Sequence, residues 1–238
     1  MFIMPLTQFE TFLSTVDLAA YRTRYLPIKI VEMDLPPQVQ ALDQLYGVYW
    51  TRREFPSYDD FYEGYKQAKQ QVIEEFRIKT TLCADCFYRG LPARIYRTWA
   101  SIITQIHAGY VAESVFGEGT VTMSEELDHQ GADFQVTYGN RTLNYQVKKT
   151  SFSREVRQDR PRARQPLPGE FIEISYKVPI YDHIRQPYQL NGREFYSDYR
   201  QFKETYLDTG MLKVWPNGFV VFTPLVFVQK KGEIDNTL

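Results

Sequence analysis

The segment Gly131-Ala132-Asp133-Phe134-Gln135-Val136, a short turn, and then Tyr145-Gln146-Val147-Lys148-Lys149 hold the residue types whose spacing suits chemistry. The connection Tyr138-Gly139-Asn140-Arg141 has the Gly/Asn content that closes β-hairpins, so Asp133 and Lys148 are expected on neighbouring strands, at one edge of a sheet. Gln146 and Lys148 are two residues apart and leave the same face of their strand. An acid that can hold Mg²⁺ beside a lysine that can orient a water is the minimum set for hydrolysing a phosphodiester. On this reading Asp133 is the first metal ligand, the carbonyl of Val147 is a second oxygen donor, and Lys148 orients or stabilises the attacking hydroxide. The amide oxygen of Gln146 can also ligate a hard cation, but it carries no charge and binds more weakly. Phosphate oxygens would then complete much of the Mg²⁺ shell. The blander alternative makes Asp133 a turn cap and Lys148 its ordinary cross-strand ion partner.

These residues need a helix and a sheet to position them. Ile95, Trp99, Ile102 and Ile106 fall within about 60° of one another at 100° per residue, which predicts a helix from about 93 to 116. Glu113 falls on the same stripe. A carboxylate on the core-facing side of a helix is costly unless a metal, a donor or cleft water meets it, so Glu113 is a candidate for holding a second ion or a water near Asp133. The opposing reading places Glu113 at the helix end, reaching solvent. Asp128, five residues before Asp133, is open between three roles: approaching the metal, accepting from a base amino group, or stabilising the turn before the strand.

Past the hairpin the chain becomes basic. Lys148, Lys149, Arg154, Arg157, Arg160, Arg162 and Arg164 outnumber Glu155 and Asp159, and Ser151 and Ser153 are interleaved as phosphate donors. Most charge runs are solvated loops. This one issues from the strand of Lys148 and must begin beside the candidate site, which favours contact with a polyanion. Pro161, Pro166, Pro168 and Gly169 argue against a helix or central strand there. With a net charge of −1, only such a local cluster can neutralise phosphates.

The remaining pattern is mixed. Phe9, Phe12, Leu13, Val16 and Ala20 recur at helical spacing; Leu42, Leu45 and Tyr49 suggest a second short helix. Ser57, with Asp60 three residues on, resembles a capping box opening a long helix whose apolar face is Phe61, Tyr65, Ala68, Val72 and Phe76. Ile172, Ile174, Tyr176 and Val178 alternate with Glu173, Ser175 and Lys177, as a half-buried strand does. Tyr196 to Leu207 reads as a helix. Phe219 to Phe222 reads as a buried strand, continued by Leu225 to Val228 past a break at Pro224. The expected fold is α/β: a helical region over 1–90 packed on a core over 91–238, in one continuous unit. An aromatic content of 16% argues for a packed globule rather than a disordered chain. Cys83 and Cys86 form a C-x-x-C without a second pair, and His107, His129 and His183 are scattered, so two free thiols are expected rather than a zinc site. Lacking a signal-peptide pattern or a membrane-length apolar run, the chain is expected in the cytoplasm.

Taken together, Asp133, Gln146-Val147-Lys148 and the preceding Glu113 resemble the PD-(D/E)xK nuclease superfamily with Gln at the second acidic position. Longer runs are similar to the TaqI family of type II restriction endonucleases: Leu91 to Ala100, Thr104-Gln105-Ile106, Gly109-Tyr110-Val111, Glu126-Leu127-Asp128, Gly131-Ala132-Asp133, Gln146 to Lys149 and Pro216 to Phe222. Pro27-Ile28-Lys29, Asp34-Leu35-Pro36 and Leu45-Tyr46 extend the likeness over most of the chain. The resemblance implies a restriction-endonuclease-like core, with a mixed central sheet flanked by helices and an N-terminal helical elaboration. It also implies Mg²⁺-dependent cleavage of double-stranded DNA at 5′-TCGA-3′, between T and C, with 5′ overhangs. Asp133 and Lys148 would be catalytic and Asp128 important for activity or recognition. A palindromic site makes a homodimer natural, at least on DNA. Two other readings stand beside it. One is a structure-specific repair nuclease using the same metal core; the other is a catalytically silent DNA-binding module, for which Gln146 would mark a lost acid.

Overall fold

The computed structural model describes residues 5–151, 167–179 and 193–236. In chain order the elements are α1 (Pro5–Thr15), α2 (Leu18–Tyr25), α3 (Leu42–Leu45) continued by a π-helical turn (Tyr46–Thr51), α4 (Tyr58–Ala68), α5 (Gln70–Thr80) and α6 (Ala84–Phe116). They are followed by β1 (Val121–Thr122), α7 (Glu125–His129), β2 (Phe134–Tyr138), β3 (Arg141–Ser151) and β4 (Glu170–Val178). The last are α8 (Arg193–Phe202), a π-helical turn (Lys203–Leu207), β5 (Leu212–Val214), β6 (Val220–Phe222) and α9 (Leu225–Asp235). The chain divides into two compact units, 15–106 and 1–14 with 107–238. The boundary at residue 90 expected from the sequence falls inside α6, a single helix with residues in both units.

Unit 15–106 is helical among its described residues, and it absorbs much of the aromatic content. Tyr58 makes edge-to-face contacts with Tyr25 (5.2 Å) and Tyr96 (5.3 Å), and Tyr96 stacks on Trp99. Burying tyrosines requires partners for their hydroxyls. Tyr49 donates to the Pro56 carbonyl (2.8 Å) and accepts from Trp99 Nε1 (2.9 Å), while Tyr65 donates to the Val39 carbonyl (2.6 Å). Tyr58 donates to the carbonyl of Pro92. Ser57 caps α4 as its sequence suggested, its side chain accepting from Asp60 N (3.2 Å).

Two helix boundaries differ from expectation here. The helix read through Phe61 to Phe76 is broken at Lys69, where φ is −112° and ψ 18°. The Lys69 ammonium is drawn onto the Gln40 carbonyl (2.7 Å) and Asp43 (3.0 Å), a tertiary anchor that periodicity does not register. The helix expected from about residue 93 starts instead at Ala84 and runs through Pro92. The first turn is capped by Cys83, whose sulfur accepts from Cys86 N at 3.1 Å. Cys83 and Cys86 are free thiols.

The other unit is built on a four-stranded sheet in the order β1-β2-β3-β4, with β3–β4 parallel and the other pairs antiparallel. The β2–β3 hairpin closes through Gly139-Asn140, and Gly139 has φ +59°, the first-position geometry of a II′ turn that glycine adopts without strain. Gly169 sets the start of β4: at φ +106°, a Cβ there would lie 2.3 Å from the Thr142 carbonyl oxygen, so only glycine lets β4 approach β3 this closely. Phe134 and Tyr145 stack at 4.9 Å on the core face, and Phe227 of α9 covers both. Tyr176 meets Phe222 of β6 at 5.1 Å. The run Leu225 to Val228 is the start of a helix, not of a further strand. Four apolar residues do not separate the two periods, and Pro224 is well placed where a helix begins, since the first helical N–H groups lack partners anyway.

Candidate active site

Alternation along β2 and β3 puts Phe134, Tyr145 and Val147 into the core, and Asp133, Gln146 and Lys148 have the opposite parity. Among the described strands both are interior, and Gln146 and Lys148 lie on one face of the sheet. Asp133 stands immediately before β2, tied into the ladder by its N–H, which donates to the Tyr145 carbonyl (2.8 Å). The residue is 6% exposed, and its Oδ2 accepts from Val147 N at 2.6 Å.

Lys148 does not pair with Asp133 as the bland reading had it. Its ammonium lies 2.7 Å from Oε2 of Glu173, on β4. The parallel register places Glu173 beside Gln146 and Ser175 beside Lys148, so four polar residues occupy one patch of the face. Ser175 Oγ donates to Glu173 Oε1 at 2.7 Å. Sequence reading missed Glu173, treating it as the solvent side of a half-buried strand. The signal was present in Glu173-x-Ser175, two exposed positions of a strand that pairs with β3.

Glu113 is buried, 6% exposed, as its position on the apolar stripe of α6 required. Its Oε1 accepts from Gly119 N at 3.0 Å, closing the turn into β1. Gly119 adjoins Thr120, whose carbonyl accepts from Thr137 N at 2.8 Å. That position is four residues along β2 from Asp133, roughly 13 Å at the usual rise per residue. The structure thus joins Asp133 to Val147, which lies between Gln146 and Lys148 on β3, and joins Glu113 to the turn that leads into β1. Asp128 lies half-buried in α7, a short helix capped by Ser124, whose side chain accepts from Leu127 N (3.2 Å). The Asp128 carbonyl accepts from Gly131 N (2.9 Å) in the turn that leads to Asp133. Lys149 is exposed and Ser151 ends β3. Ser153, Arg154, Arg157, Arg160, Arg162 and Arg164 lie outside the described residues.

Among the described residues there is no group of three or more His, Cys, Asp or Glu placed to hold a metal. The candidate donors, the Asp133 carboxylate, the Val147 carbonyl and the Gln146 amide, are all oxygens. Such a set suits a hard cation whose remaining positions go to water or phosphate, and not zinc.

A family model described as TaqI restriction endonuclease matches residues 6–230. The chain belongs to the TaqI restriction endonuclease family. It is 32% identical over 223 residues to the type II restriction enzyme TthHB8I of Thermus thermophilus, covering 91% of this chain and 83% of the relative. It is 31% identical over 226 residues to the type II restriction enzyme TaqI of Thermus aquaticus, with the same coverage. No solved structure matches it. The mixed α/β architecture of this TaqI-family chain is compatible with a restriction-endonuclease-like fold. No helix among its described residues is long and apolar enough to cross a membrane.

Proposed function

We infer that the chain is a type II restriction endonuclease, and we propose that it cuts duplex DNA at 5′-TCGA-3′ between T and C, using Mg²⁺. The observation that carries the reading is the Asp133 carboxylate locked on Val147 N, with Lys148 next along the strand and on the other face from Val147. The N–H and C=O of one strand residue leave toward the same neighbour, so the Val147 carbonyl is directed to the side where Asp133 stands. Asp133 and that carbonyl would hold the ion, with Gln146 as a weaker neutral donor. A bound Mg²⁺ would neutralise charge as it builds on the phosphate. Lys148 contributes a positive charge on the sheet face, where it stabilises the attacking oxygen and the phosphate. The restriction-endonuclease-like core, with the PD-(D/E)xK site in its Gln form, belongs to the same proposal.

Glu113 has a lesser proposed part, holding a second ion or a water after releasing Gly119. If Glu113→Gln leaves both rate and Mg²⁺ dependence unchanged, its role ends at closing the turn. Asp128 is assigned to activity or base recognition. The basic segment, with Lys149, Ser151, Ser153, Arg154, Arg157, Arg160, Arg162 and Arg164, is assigned to the DNA backbone. A palindromic site fits a homodimer on DNA, one active site per strand, in the cytoplasm where incoming DNA is met.

The test is a fully sequenced plasmid incubated with the protein and Mg²⁺, with an EDTA control, and the product ends sequenced. Ends bearing 5′-CG overhangs at TCGA are expected. Discrete ends at another sequence would keep the activity and reject the recognition site. Cutting at junctions or flaps alone would favour a repair nuclease, and no cutting with Mg²⁺ or Mn²⁺ would favour a silent binder. Replacing Arg154 and Arg157 by Ala should weaken DNA binding and flatten its salt dependence; an unchanged slope would place the DNA elsewhere.

A further inference from the structure

Lys148 is the only candidate catalytic group whose charge must be aimed, and a lysine on a four-carbon stem does not aim itself. Its ammonium is fixed by Glu173 at 2.7 Å, and Glu173 is fixed in turn by the Ser175 hydroxyl at 2.7 Å. Lys148 is one-third exposed and Glu173 is 44% exposed, so this is not a pair buried for packing. An exposed ion pair of this kind adds little stability, because water screens it and ordering two long side chains opposes it. Its geometric effect is larger. The β3–β4 register sets Glu173 beside Gln146 and Ser175 beside Lys148, so the two Glu173 oxygens reach diagonally to the lysine and along β4 to the hydroxyl.

We propose that Glu173 is a positioning residue for catalysis, holding the Lys148 ammonium on the sheet face that it shares with Gln146, with Ser175 orienting Glu173. The inference rests on the nuclease reading of Asp133 and Lys148. It places the negative charge that Gln146 lacks one strand away, on β4, where it acts on the lysine and not on the metal. Both polar side chains come from the exposed positions of β4, and that strand therefore has a part in the chemistry as well as in the core.

The experiment compares wild type, Glu173→Gln, Ser175→Ala and Asp133→Ala in single-turnover cleavage of a TCGA duplex across an Mg²⁺ titration. DNA binding is measured in Ca²⁺, and thermal melting is followed as a control for folding. For Glu173→Gln the rate at saturating Mg²⁺ should fall about 10- to 100-fold, the range expected when a reacting group is misplaced by an ångström or so. The Mg²⁺ midpoint and the DNA affinity should stay within about twofold of wild type, because neither passes through the lysine's aim. Ser175→Ala should show a smaller loss of the same kind, which covers the case of a Glu173 variant that melts early. A wild-type rate in both variants overturns the proposal. So does a loss that added Mg²⁺ restores, since that outcome makes Glu173 a metal ligand. A wild type that cuts no DNA sinks the nuclease reading and takes this role with it, whereas active wild type with unaffected variants sinks only Glu173.

Discussion

Two clusters in the unit formed by 1–14 and 107–238 pair acids with bases, and they bury opposite partners. At the first, Glu10 of α1 accepts from His107 Nε2 (3.0 Å) and from Lys213 (2.7 Å). The buried member there is the imidazole, fully enclosed, and desolvation holds its pKa below the ordinary histidine range despite the carboxylate beside it. Glu10 is drawn down to about 2, chiefly by the His107 hydrogen bond, which with help from Lys213 outweighs the opposing effect of its own burial. At the second cluster the acid is the buried member: Asp133 sits under the sheet face on a neutral amide N–H, while Lys148 stands at the surface with Glu173. A neutral base buried against an acid that stays charged is a desolvated joint between elements, even though Nδ1 of His107 is buried without a hydrogen-bond partner. A buried acid at the sheet face, beside a lysine held at the surface by Glu173, is an arrangement that substrate and metal can complete. The same residue types make a structural joint in one place and a site in the other.

The largest effect that would break this comparison is at Asp133. Asp133→Asn retains an oxygen for Val147 N but removes the charge, so folding should survive while cleavage falls by about 10³-fold or more, the order expected when a metal's principal ligand is lost. Measurable cutting at near the wild-type rate would make Asp133 as structural as Glu10. Next in size is Lys148→Ala, expected to lower single-turnover rate about 10²- to 10³-fold, as loss of one preorganised donor to developing charge does, with DNA and metal binding retained. Normal cleavage by this variant would end the proposed site.

Glu10→Ala should sharpen the comparison from the other side. It removes the acceptor of a buried imidazole N–H, and a buried donor left unsatisfied costs about 1–3 kcal/mol. Chemical denaturation should register that loss, and the cleavage rate per folded molecule should not change. A rate loss matching that of Lys148→Ala would mean the two clusters are not separable.

The second cluster was readable from the chain and the first was not. Asp133, Gln146 and Lys148 are joined by a hairpin, and a Gly-Asn turn with period-2 flanks fixes which residues face each other within a few residues of sequence. Glu10, His107 and Lys213 lie 97 to 203 residues apart, and only the tertiary fold collects them. Glu173 failed for the same reason: its partner Lys148 is on a parallel neighbour, and parallel pairing leaves no local mark comparable to a turn. Glu113 was half legible. Helical period correctly put its carboxylate inside, but what met it there, the Gly119 N–H, depended on a loop conformation that period does not encode. Elements with one strong period were found, as with β4, β6 and most of α6. Boundaries set by a single side chain, such as Lys69 on Gln40 and Asp43, were displaced.

The smallest expected effect is the pH dependence of stability, and it separates the members of the first cluster. His107 is held neutral in the fold, so below its ordinary value of 6.5 the unfolded chain takes a proton that the folded chain refuses. Stability contributed by that difference is complete above pH 6.5 and is lost as pH falls. Glu10 acts lower: between its ordinary 4.5 and about 2 the unfolded carboxyl protonates while the folded one stays charged, so the same sign continues at more acid pH. Melting curves from pH 8 to pH 3 should therefore show a decline beginning near pH 6.5 and a further one below pH 4.5. His107→Gln should remove the first decline and retain the second, and Glu10→Gln should retain the first while removing the second. A His107→Gln variant whose melting still declines between pH 6.5 and pH 5 would show that other groups carry this acid sensitivity. The buried imidazole would then not be the pH-sensitive part of the first cluster.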